Sequence, residues 1–210
     1  MFMTDNNLFA LPKIAEERLT GILAFLQASE QLKDTLRSGT TRTGRPESTA
    51  EHSWRLALMV LLFEKNLQGI DISKLLKLSL IHDLGEAISG DVPAPLQSPD
   101  DGRQDRELRD FKSLCTSLPS DLAEEFLAIW QEYAAAVTPE AKAAKAFDKL
   151  ETMLQHLLMP RQSSDFYGFN LTYGRDRTDV FALTRQIRNR VDRQTRDSLS
   201  SLQSKGTSEE

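Results

Sequence analysis

The sequence predicts an all-α protein built as a single helical bundle. Apolar residues recur at helical spacing along most of the 210 residues, and almost no stretch alternates apolar and polar residues with a period of two. Apolar residues make up 40% and charged residues 27% of the chain, which is typical of a globular domain with one core. No apolar run approaches the roughly 18 residues that a membrane span needs. We therefore expect no membrane partner.

Charge and cysteine content bear on partners and location. The net charge of −5 argues against a nucleic-acid polymer as partner, because such a partner requires many phosphate contacts. A small phosphorylated ligand is still compatible with it. The N-terminus has no basic segment followed by an apolar one, and the single cysteine, Cys115, cannot form an internal disulfide. Both features favour a cytoplasmic protein.

The first predicted helix runs from about Lys13 to Leu32, after an N-terminal extension over residues 1–12. Its predicted core residues are Ile14, Ile22, Phe25, Leu26 and Leu32. Residues 36–46 follow, rich in glycine and arginine and without a carboxylate. We interpret them as a solvated connector. The alternative is a loop whose hydroxyls and backbone amides hold a phosphate.

The second predicted helix begins at a capping box formed by Ser48 and Glu51. His52 follows in its first turn, in line with the buried face. The rest of that face carries Leu56, Met59 and Phe63. A lone histidine at such a position is more often a core residue than a ligand, so His52 needs a partner motif to become a metal candidate.

The third predicted helix supplies that motif. It runs from about Ser73 to Leu84, is strongly apolar, and ends in His82 and Asp83. An aspartate there loses hydration and meets the negative end of the helix dipole, and a bound cation would remove both penalties. Imidazole together with carboxylate suits a divalent transition ion better than calcium. The pattern therefore predicts a metal site.

The segment after this helix reads as a turn that keeps two carboxylates near the predicted site. Glu86 comes first, and Asp91 follows Gly90 just before two prolines. The plainer interpretation is that both are solvated turn carboxylates, which is common for a Gly-Asp pair.

The second half of the chain is predicted to be helical between breaks. Residues 97–110 form a solvated loop that enters a helix, Pro119 ends that helix, and Ser120 or Asp121 caps the next one. The core residues predicted for the first of these helices are Phe111, Leu114 and Leu118.

A further helix runs from Thr138 to about Met159, with Phe147, Leu150, Leu154, Leu157 and Leu158 inward. Read alone, Asp148 is a surface residue paired with Lys145. His156 is interpreted as structural, because it lies two turns beyond Asp148.

The C-terminal region is predicted as a loop, a helix and a tail. Residues 161–174 are an aromatic loop that covers a site or packs on a partner. The last helix, residues 177–202, is locally basic, and residues 204–210 form a disordered tail.

Taken in order, His52, the His82-Asp83 pair and Asp148 give the pattern H…HD…D. With Glu86 and Gly90-Asp91 beside it, this pattern resembles the HD-domain metal-dependent phosphohydrolases, an all-helical superfamily, and within it the 5′-deoxynucleotidase branch. The resemblance covers about residues 15–160 and implies an HD domain over residues 13–203.

The resemblance implies one divalent ion that is held by four residues. It also implies that the chain forms a homodimer. The ligands would be His52, His82, Asp83 and Asp148, and the ion a transition metal such as Co, Mn, Zn or Fe, or else Mg. This reverses the isolated interpretation of Asp148.

The resemblance also implies roles around the substrate. Glu86 and Asp91 match catalytic carboxylates, and Asp91 also lies near the sugar, where it favours deoxyribose. Arg42 matches a loop arginine near the phosphate.

The expected reaction removes the 5′-phosphate from (deoxy)ribonucleoside 5′-monophosphates. The alternatives are an HD hydrolase acting on a nucleoside triphosphate or cyclic nucleotide, a non-catalytic nucleotide-binding regulator, and a helical interaction protein without metal.

Overall fold

The computed structural model, which describes residues 11–98, 101–160 and 162–206, is helical almost throughout. The helices are α1 (Glu16–Ala28), α2 (Thr49–Phe63), α3 (Ile72–Ile81), α4 (Glu86–Ser89), α5 (Arg103–Leu114), α6 (Ser120–Ala135), α7 (Pro139–His156), α8 (Ser164–Thr172), α9 (Arg175–Thr178) and α10 (Ala182–Gly206). Short 3₁₀ turns occur at Ser29–Lys33, Glu64–Asn66, Ala94–Leu96 and Cys115–Ser117. The all-α prediction is confirmed.

A small antiparallel hairpin interrupts the helices of the described ranges. Its strands are β1 (Leu36–Thr40) and β2 (Pro46–Ser48), with Leu36 opposite Ser48. Gly44 supplies the positive φ of 86° that the connecting turn requires. The prediction of a plain connector over residues 36–46 is therefore wrong: the segment is a sheet edge that leads directly into α2.

The helices that carry the predicted ligands each begin at a side-chain cap. The hydroxyls of Ser48 and Thr138 and the carboxylate of Asp71 accept hydrogen bonds from backbone N–H groups in the first turns of α2, α7 and α3. The capping box predicted at Ser48 is present, because Glu51 also accepts from the Ser48 backbone N–H. These caps fix where each helix starts and therefore where its ligands lie.

Helices α2, α3 and α7 pack against one another through two apolar clusters. One joins Val60, Leu75, Leu78, Ala141 and Ala144. The other joins Leu56, Met59, Phe147 and Leu150. His52 lies on the same buried face of α2 as Leu56 and is fully buried. The core therefore draws the three ligand-bearing helices to one place.

A third cluster attaches α1, α5 and α6 to the end of α3. It contains Phe25, Leu32, Ile81, Leu84, Phe111, Leu114, Leu118 and Trp130. Phe25 and Leu32 are buried as predicted, but Ile14 is 47% and Leu26 58% exposed, and Ile22 is half-buried. Leu26 follows Phe25 by one residue, which turns it about 100° around the helix and away from the core.

Several predicted boundaries and caps differ from the structure. α1 begins at Glu16, α3 ends at Ile81, and α7 ends at His156, so Leu158 is exposed. The N-cap of α6 is Pro119, without a side-chain cap, rather than Ser120 or Asp121. Helix ends depend on local hydrogen bonds that apolar spacing does not encode.

The C-terminal region is more helical than predicted. Residues 161–174 contain α8, which Ser163 caps through the backbone N–H of Phe166. The helix predicted over 177–202 is divided into α9 and α10, and α10 continues to Gly206, into the predicted tail. Residues 1–10 of the predicted extension and 207–210 of the predicted tail lie outside the described residues. Within the described ranges, no helix has the length and apolar character that crossing a membrane requires.

Candidate metal centre and active site

The predicted metal ligands meet where the first turn of α2, the end of α3 and the middle of α7 come together. Nitrogen atoms of His52 and His82 and a carboxylate oxygen of Asp83 all lie within 4.8 Å of one another. Nε2 of His52 is 3.7 Å from Oδ2 of Asp83 and 3.3 Å from Oδ1 of Asp148. Nε2 of His82 is 3.0 Å from Oδ2 of Asp83. The structure thus brings His52, His82 and Asp83 into one group, and it places the fourth predicted ligand, Asp148, beside this group through His52.

The second nitrogen of each imidazole is held by an acceptor. Nδ1 of His52 donates to the carboxylate of the fully buried Glu151, and Nδ1 of His82 donates to the carbonyl oxygen of Ser79 at 3.0 Å. Both acceptors require a proton on Nδ1, which leaves Nε2 with a lone pair in the neutral ring. Fixing a ligating histidine through its other nitrogen is the usual arrangement at protein metal sites.

Both Nε2 atoms are buried and have no hydrogen-bond partner among the described residues, although carboxylate oxygens lie close to them. Buried polar atoms without a partner are rare, because they lose hydration and gain nothing in return. A cation between the two nitrogens and the two carboxylates would satisfy them. Two imidazoles with two carboxylates suit a divalent transition ion, so the residues fit the metal expected from the sequence.

Asp148 is not the surface residue that its local sequence predicts. It is 5% exposed, accepts a hydrogen bond from the hydroxyl of Tyr133 at 2.8 Å, and pairs with Nζ of Lys149 at 3.0 Å. Lys145 instead lies over the Tyr133 ring, 3.7 Å from its centroid. Burial alone would raise the pKa of Asp148, but Lys149 and His52 hold it well below its ordinary value. Asp148 is therefore a buried anion.

Neighbouring charges shift the pKa values of the groups in the centre. Burial would raise the pKa of Asp83, but the neighbouring His82, His52 and Arg37 keep it below its ordinary range. Burial and Arg37 lower the pKa of His52, while Glu151 and Asp148 outweigh both and raise it to about 9. The carboxylates are thus ionised and ready to bind a cation, and the imidazole of His52 carries a proton that a cation would have to displace.

Glu86 and Asp91 lie beside this centre. Glu86 is the first residue of α4, is 8% exposed, and accepts a hydrogen bond from the hydroxyl of Thr49 at 3.5 Å. Burial, followed by the charges of Asp83 and Asp91, raises the pKa of Glu86 well above its ordinary value. Burial also raises the pKa of Asp91. Glu86 therefore keeps its proton to a higher pH than an ordinary glutamate does.

A cleft of about 680 Å³ opens over the centre. Groups from the centre that line it include His82, Asp83, Glu86, Asp91 and Asp148. Its volume lies within the range of ordinary ligand pockets. The predicted carboxylates thus face a space large enough for a small phosphorylated molecule.

Arg37, rather than Arg42, is the arginine that the hairpin delivers to this cleft. Its guanidinium lies 3.4 Å from Oδ2 of Asp83, 3.1 Å from Oγ1 of Thr152 and 3.8 Å from Oε2 of Glu47. Arg42 is exposed on the hairpin turn and does not line the cleft. Arg37 was not predicted as a site residue, because residues 36–46 were interpreted as a solvated connector and their pattern does not indicate which side chain faces the cleft.

Lys145 and Lys149 were also missed as cleft residues. Together with Asp148, Thr152 and His156 they occupy one face of α7 at helical spacing, and all of them line the cleft. Glu151, on an adjacent face, reaches His52 instead. The spacing of these residues was the available signal, but it required knowing which face of α7 meets the substrate.

Comparison with known proteins agrees with this geometry. A family model described as HD domain matches residues 29–188. The 5′-deoxynucleotidase HDDC2 of Mus musculus is 33% identical over 137 residues, 64% of this chain and 68% of that protein. The 5′-deoxynucleotidase HDDC2 of Homo sapiens is 33% identical over 136 residues, 64% of this chain and 66% of that protein. The match spans about two thirds of each relative's length.

A solved structure shares the fold. The crystal structure described as a predicted metal-dependent phosphohydrolase from Magnetospirillum magnetotacticum MS-1 superposes with a TM-score of 0.74 at 26% identity. The superposition covers 88% of this chain and 97% of the Magnetospirillum magnetotacticum chain. Its fold and the family match extend across the helices that bring His52, His82, Asp83 and Asp148 together. The chain belongs to the HD-domain family.

Proposed function

We propose that the chain is a metal-dependent phosphohydrolase that removes the 5′-phosphate from (deoxy)ribonucleoside 5′-monophosphates. The observation that carries this proposal is the convergence of two imidazole nitrogens and two carboxylates at a cleft that Arg37 and the buried Glu86 also line. The curated relatives named as 5′-deoxynucleotidases support the choice of substrate.

His52, His82, Asp83 and Asp148 would hold one divalent cation. When bound, such a cation supplies Lewis acidity, which polarises phosphoryl oxygens and makes water acidic enough to act as a nucleophile near neutral pH. Glu151 and the Ser79 carbonyl keep the two imidazoles oriented for this role.

Arg37 would bind and orient the phosphate. Burial opposes its charge, but Asp83, Asp91 and other nearby carboxylates keep its pKa above the ordinary value, so the guanidinium is always cationic. Its planar donors match phosphate oxygens. Lys149 and Lys145 line the same cleft, and burial lowers the pKa of Lys145 to about 8, which still leaves it mostly charged at neutral pH. Together these cations offset the charge that develops on the phosphoryl group.

Glu86 would exchange the proton that the reaction requires. Its buried carboxyl has the raised pKa expected of a general acid or base working near neutrality. It would orient the attacking water or protonate the leaving 5′ oxygen. Asp91, on the turn after α4, is assigned to the sugar and to catalysis, which its position in the same cleft supports.

Phosphate release from a panel of nucleoside monophosphates, with several divalent ions added, tests the proposal. We expect inorganic phosphate and nucleoside as products, and loss of turnover in Asp83→Ala. Arg37→Gln should lower kcat/KM by about a hundredfold, because it removes a preorganised charge. Full turnover in Asp83→Ala would reject the scheme. A larger loss in Arg42→Gln than in Arg37→Gln would return the phosphate role to Arg42.

The proposal also includes an oligomeric state and a cellular location. A homodimer is supported by an exposed apolar strip on the outer face of α2, formed by Trp54, Leu58, Leu61 and Leu62. A monomeric mass by light scattering would exclude it. A cytoplasmic location is supported by the free, buried Cys115, and cell fractionation would check it.

A further inference from the structure

We propose that the aromatic wall, defined as Phe166, Phe169 and Tyr173, is the nucleobase-binding subsite of the cleft. The inference rests on the proposed function and deepens it, because it names the part of the substrate that the C-terminal region recognises. None of the three rings is a candidate metal ligand, yet all of them line the same cleft as the metal centre.

The aromatic wall presents flat apolar faces to the cleft. Phe169 and Tyr173 lie one helical turn apart and stack with ring centroids 5.1 Å apart and planes 28° from parallel. Phe166 packs against the ring of His156 at 4.9 Å. Each of the three rings is half-buried, so part of its surface remains open. Nucleobases bind such surfaces by stacking, whatever their hydrogen-bonding pattern.

Helix α7 sets the distance between the aromatic wall and the metal centre. Asp148, Thr152 and His156 follow one another at four-residue spacing, and all three line the cleft. His156, which packs on the aromatic wall, therefore lies about 12 Å along the helix from the predicted ligand Asp148. That separation matches an extended nucleoside monophosphate with its phosphate at the metal centre and its base against the rings. A phosphate alone would not reach Phe166, the ring that packs on His156, whereas Tyr173 lies nearer the centre, with its ring centroid 5.4 Å from Nζ of Lys149.

His156 adds a polar group at the same place. Its Nδ1 donates to Oδ1 of the buried Asn170 at 2.7 Å, which leaves Nε2 as an acceptor. Burial lowers the pKa of His156, so the ring is neutral at pH 7. A neutral acceptor beside stacked rings suits the exocyclic amine of a base. The interpretation of His156 as a purely structural residue did not anticipate this position.

The aromatic wall is held rigidly from behind by Arg188. This fully buried guanidinium donates to the carbonyl oxygens of Tyr173 at 2.6 Å, Asn170 at 2.9 Å and Leu171 at 3.0 Å, and it pairs with Asp192 at 2.7 Å. Three carbonyls at the end of α8 are thus fixed by one residue of α10. A preordered surface loses little conformational freedom when a ligand binds, which favours a binding role over mere coverage.

Calorimetry with deoxyadenosine tests the subsite without the phosphatase reaction, because this nucleoside carries no phosphate. The full chain without added metal should bind deoxyadenosine, and Phe169→Leu and Tyr173→Leu should each weaken binding by about tenfold or more. Thymidine, with a smaller ring, should bind more weakly than deoxyadenosine. Phe126→Leu is the matched control, because Phe126 is a half-buried aromatic that packs on Phe25 outside the cleft. Equal affinity in the wild type and both ring variants would overturn the proposal.

Kinetics separate the subsite from the proposed function. The wild type should have a kcat/KM at least about tenfold higher for deoxyadenosine 5′-monophosphate than for deoxyribose 5-phosphate, which lacks a base. Phe169→Leu should narrow this ratio while its turnover of deoxyribose 5-phosphate stays the same, and Tyr173→Leu is left out of this comparison because Tyr173 contacts Lys149. Equal values for the two substrates in the wild type would overturn the subsite even if the variants failed to fold. Absence of hydrolysis of any nucleotide would instead reject the proposed function. The binding of deoxyadenosine would still test whether the aromatic wall is a nucleobase subsite.

Discussion

At the scale of single residues, the proton on His52 competes with the cation that the centre fits. Burial and Arg37 oppose a charged imidazole, but Glu151 and Asp148 raise the pKa of His52 to about 9. Without a cation, His52 is therefore protonated at neutral pH, and its Nε2 cannot act as a ligand. Cation binding must release this proton.

Metal affinity should accordingly rise with pH up to about pH 9. Below the pKa of His52, each decrease of one pH unit lowers the fraction of neutral imidazole about tenfold. The apparent affinity for the cation should fall by the same factor. Above it, this dependence should level off. Calorimetric titration with Mn²⁺ in buffers of different ionisation enthalpy measures both the affinity and the number of protons released. A constant affinity between pH 6.5 and 8.5 would contradict the raised pKa of His52 and leave its role as a ligand to be tested by substitution.

The residues also show what the sequence alone can predict of the site. His82 and Asp83 indicate a metal site because an aspartate at the end of an apolar helix is unfavourable without a nearby cation. Asp148 gives no such signal: its neighbour Lys145 suggests a surface pair, and only the family pattern identifies it as a ligand. Its burial beneath Tyr133 follows from how α6 meets α7, which local spacing does not contain. Arg37 was missed because its position in the cleft depends on the hairpin, which the sequence pattern does not predict.

At the scale of elements, the turn that carries Asp83 and Glu86 is held against α5 by a close backbone approach. A Cβ atom on Gly85 would lie 2.7 Å from the carbonyl oxygen of Glu107 and 3.2 Å from its carbonyl carbon. Gly85 has an ordinary helical φ of −64°, so glycine is required here for space rather than for conformation. The position of Glu86 therefore depends on this contact.

Gly85→Ala should lower stability by about 1–3 kcal/mol, because backbone atoms must move to admit the methyl group. For a chain of this size, the melting temperature should fall by about 3–10 °C. Activity should fall as well, because the turn holds Asp83 and Glu86.

Gly168→Ala on α8 is the matched control for this substitution. Within the described ranges, an added Cβ at Gly168 meets nothing within 4 Å, so the helix should gain about 0.5–1 kcal/mol. Thermal melts of both variants decide the point. Equal melting temperatures in the two variants would show that the approach of Gly85 to Glu107 is not tight in solution.

Elements were predicted best where apolar spacing and a cap coincide. α2 and α7 have both, and their starts at Ser48 and Thr138 are confirmed. The hairpin was missed because β1 and β2 are too short for a pattern of period two to emerge. α8 was missed because its aromatic residues point both to the cleft and to the body, which gives no single apolar face.

At the scale of the whole molecule, Arg188 links the C-terminal helix to the rest of the chain. It is fully buried, and its partners are Asp192, which is 1% exposed, and carbonyls at the end of α8. Asp192 also accepts from Arg175, the first residue of α9. The basic character predicted for the last helix thus divides into exposed arginines and one buried arginine that organises three helices.

Arg188→Leu should lower the free energy of unfolding by about 3–5 kcal/mol, because it leaves buried carbonyls without a donor and leaves the buried Asp192 paired mainly with the partly exposed Arg175. Arg190→Leu, an exposed substitution on the same helix, should change it by less than about 0.5 kcal/mol. Urea denaturation of both variants measures the difference. Similar stability of the two variants would mean that the buried network contributes little to holding α8 and α10 together.

The order of these groups along the chain has a consequence for how such a protein can diversify. Every candidate cation ligand precedes Lys149, whereas the three stacking rings and the arginine behind them follow Gln162. Under the proposed subsite, substitutions of Phe166 or Phe169 would change which nucleotide is accepted and leave every candidate cation ligand in place. Descendants of one ancestral catalyst can therefore acquire new preferences by changing their last quarter alone.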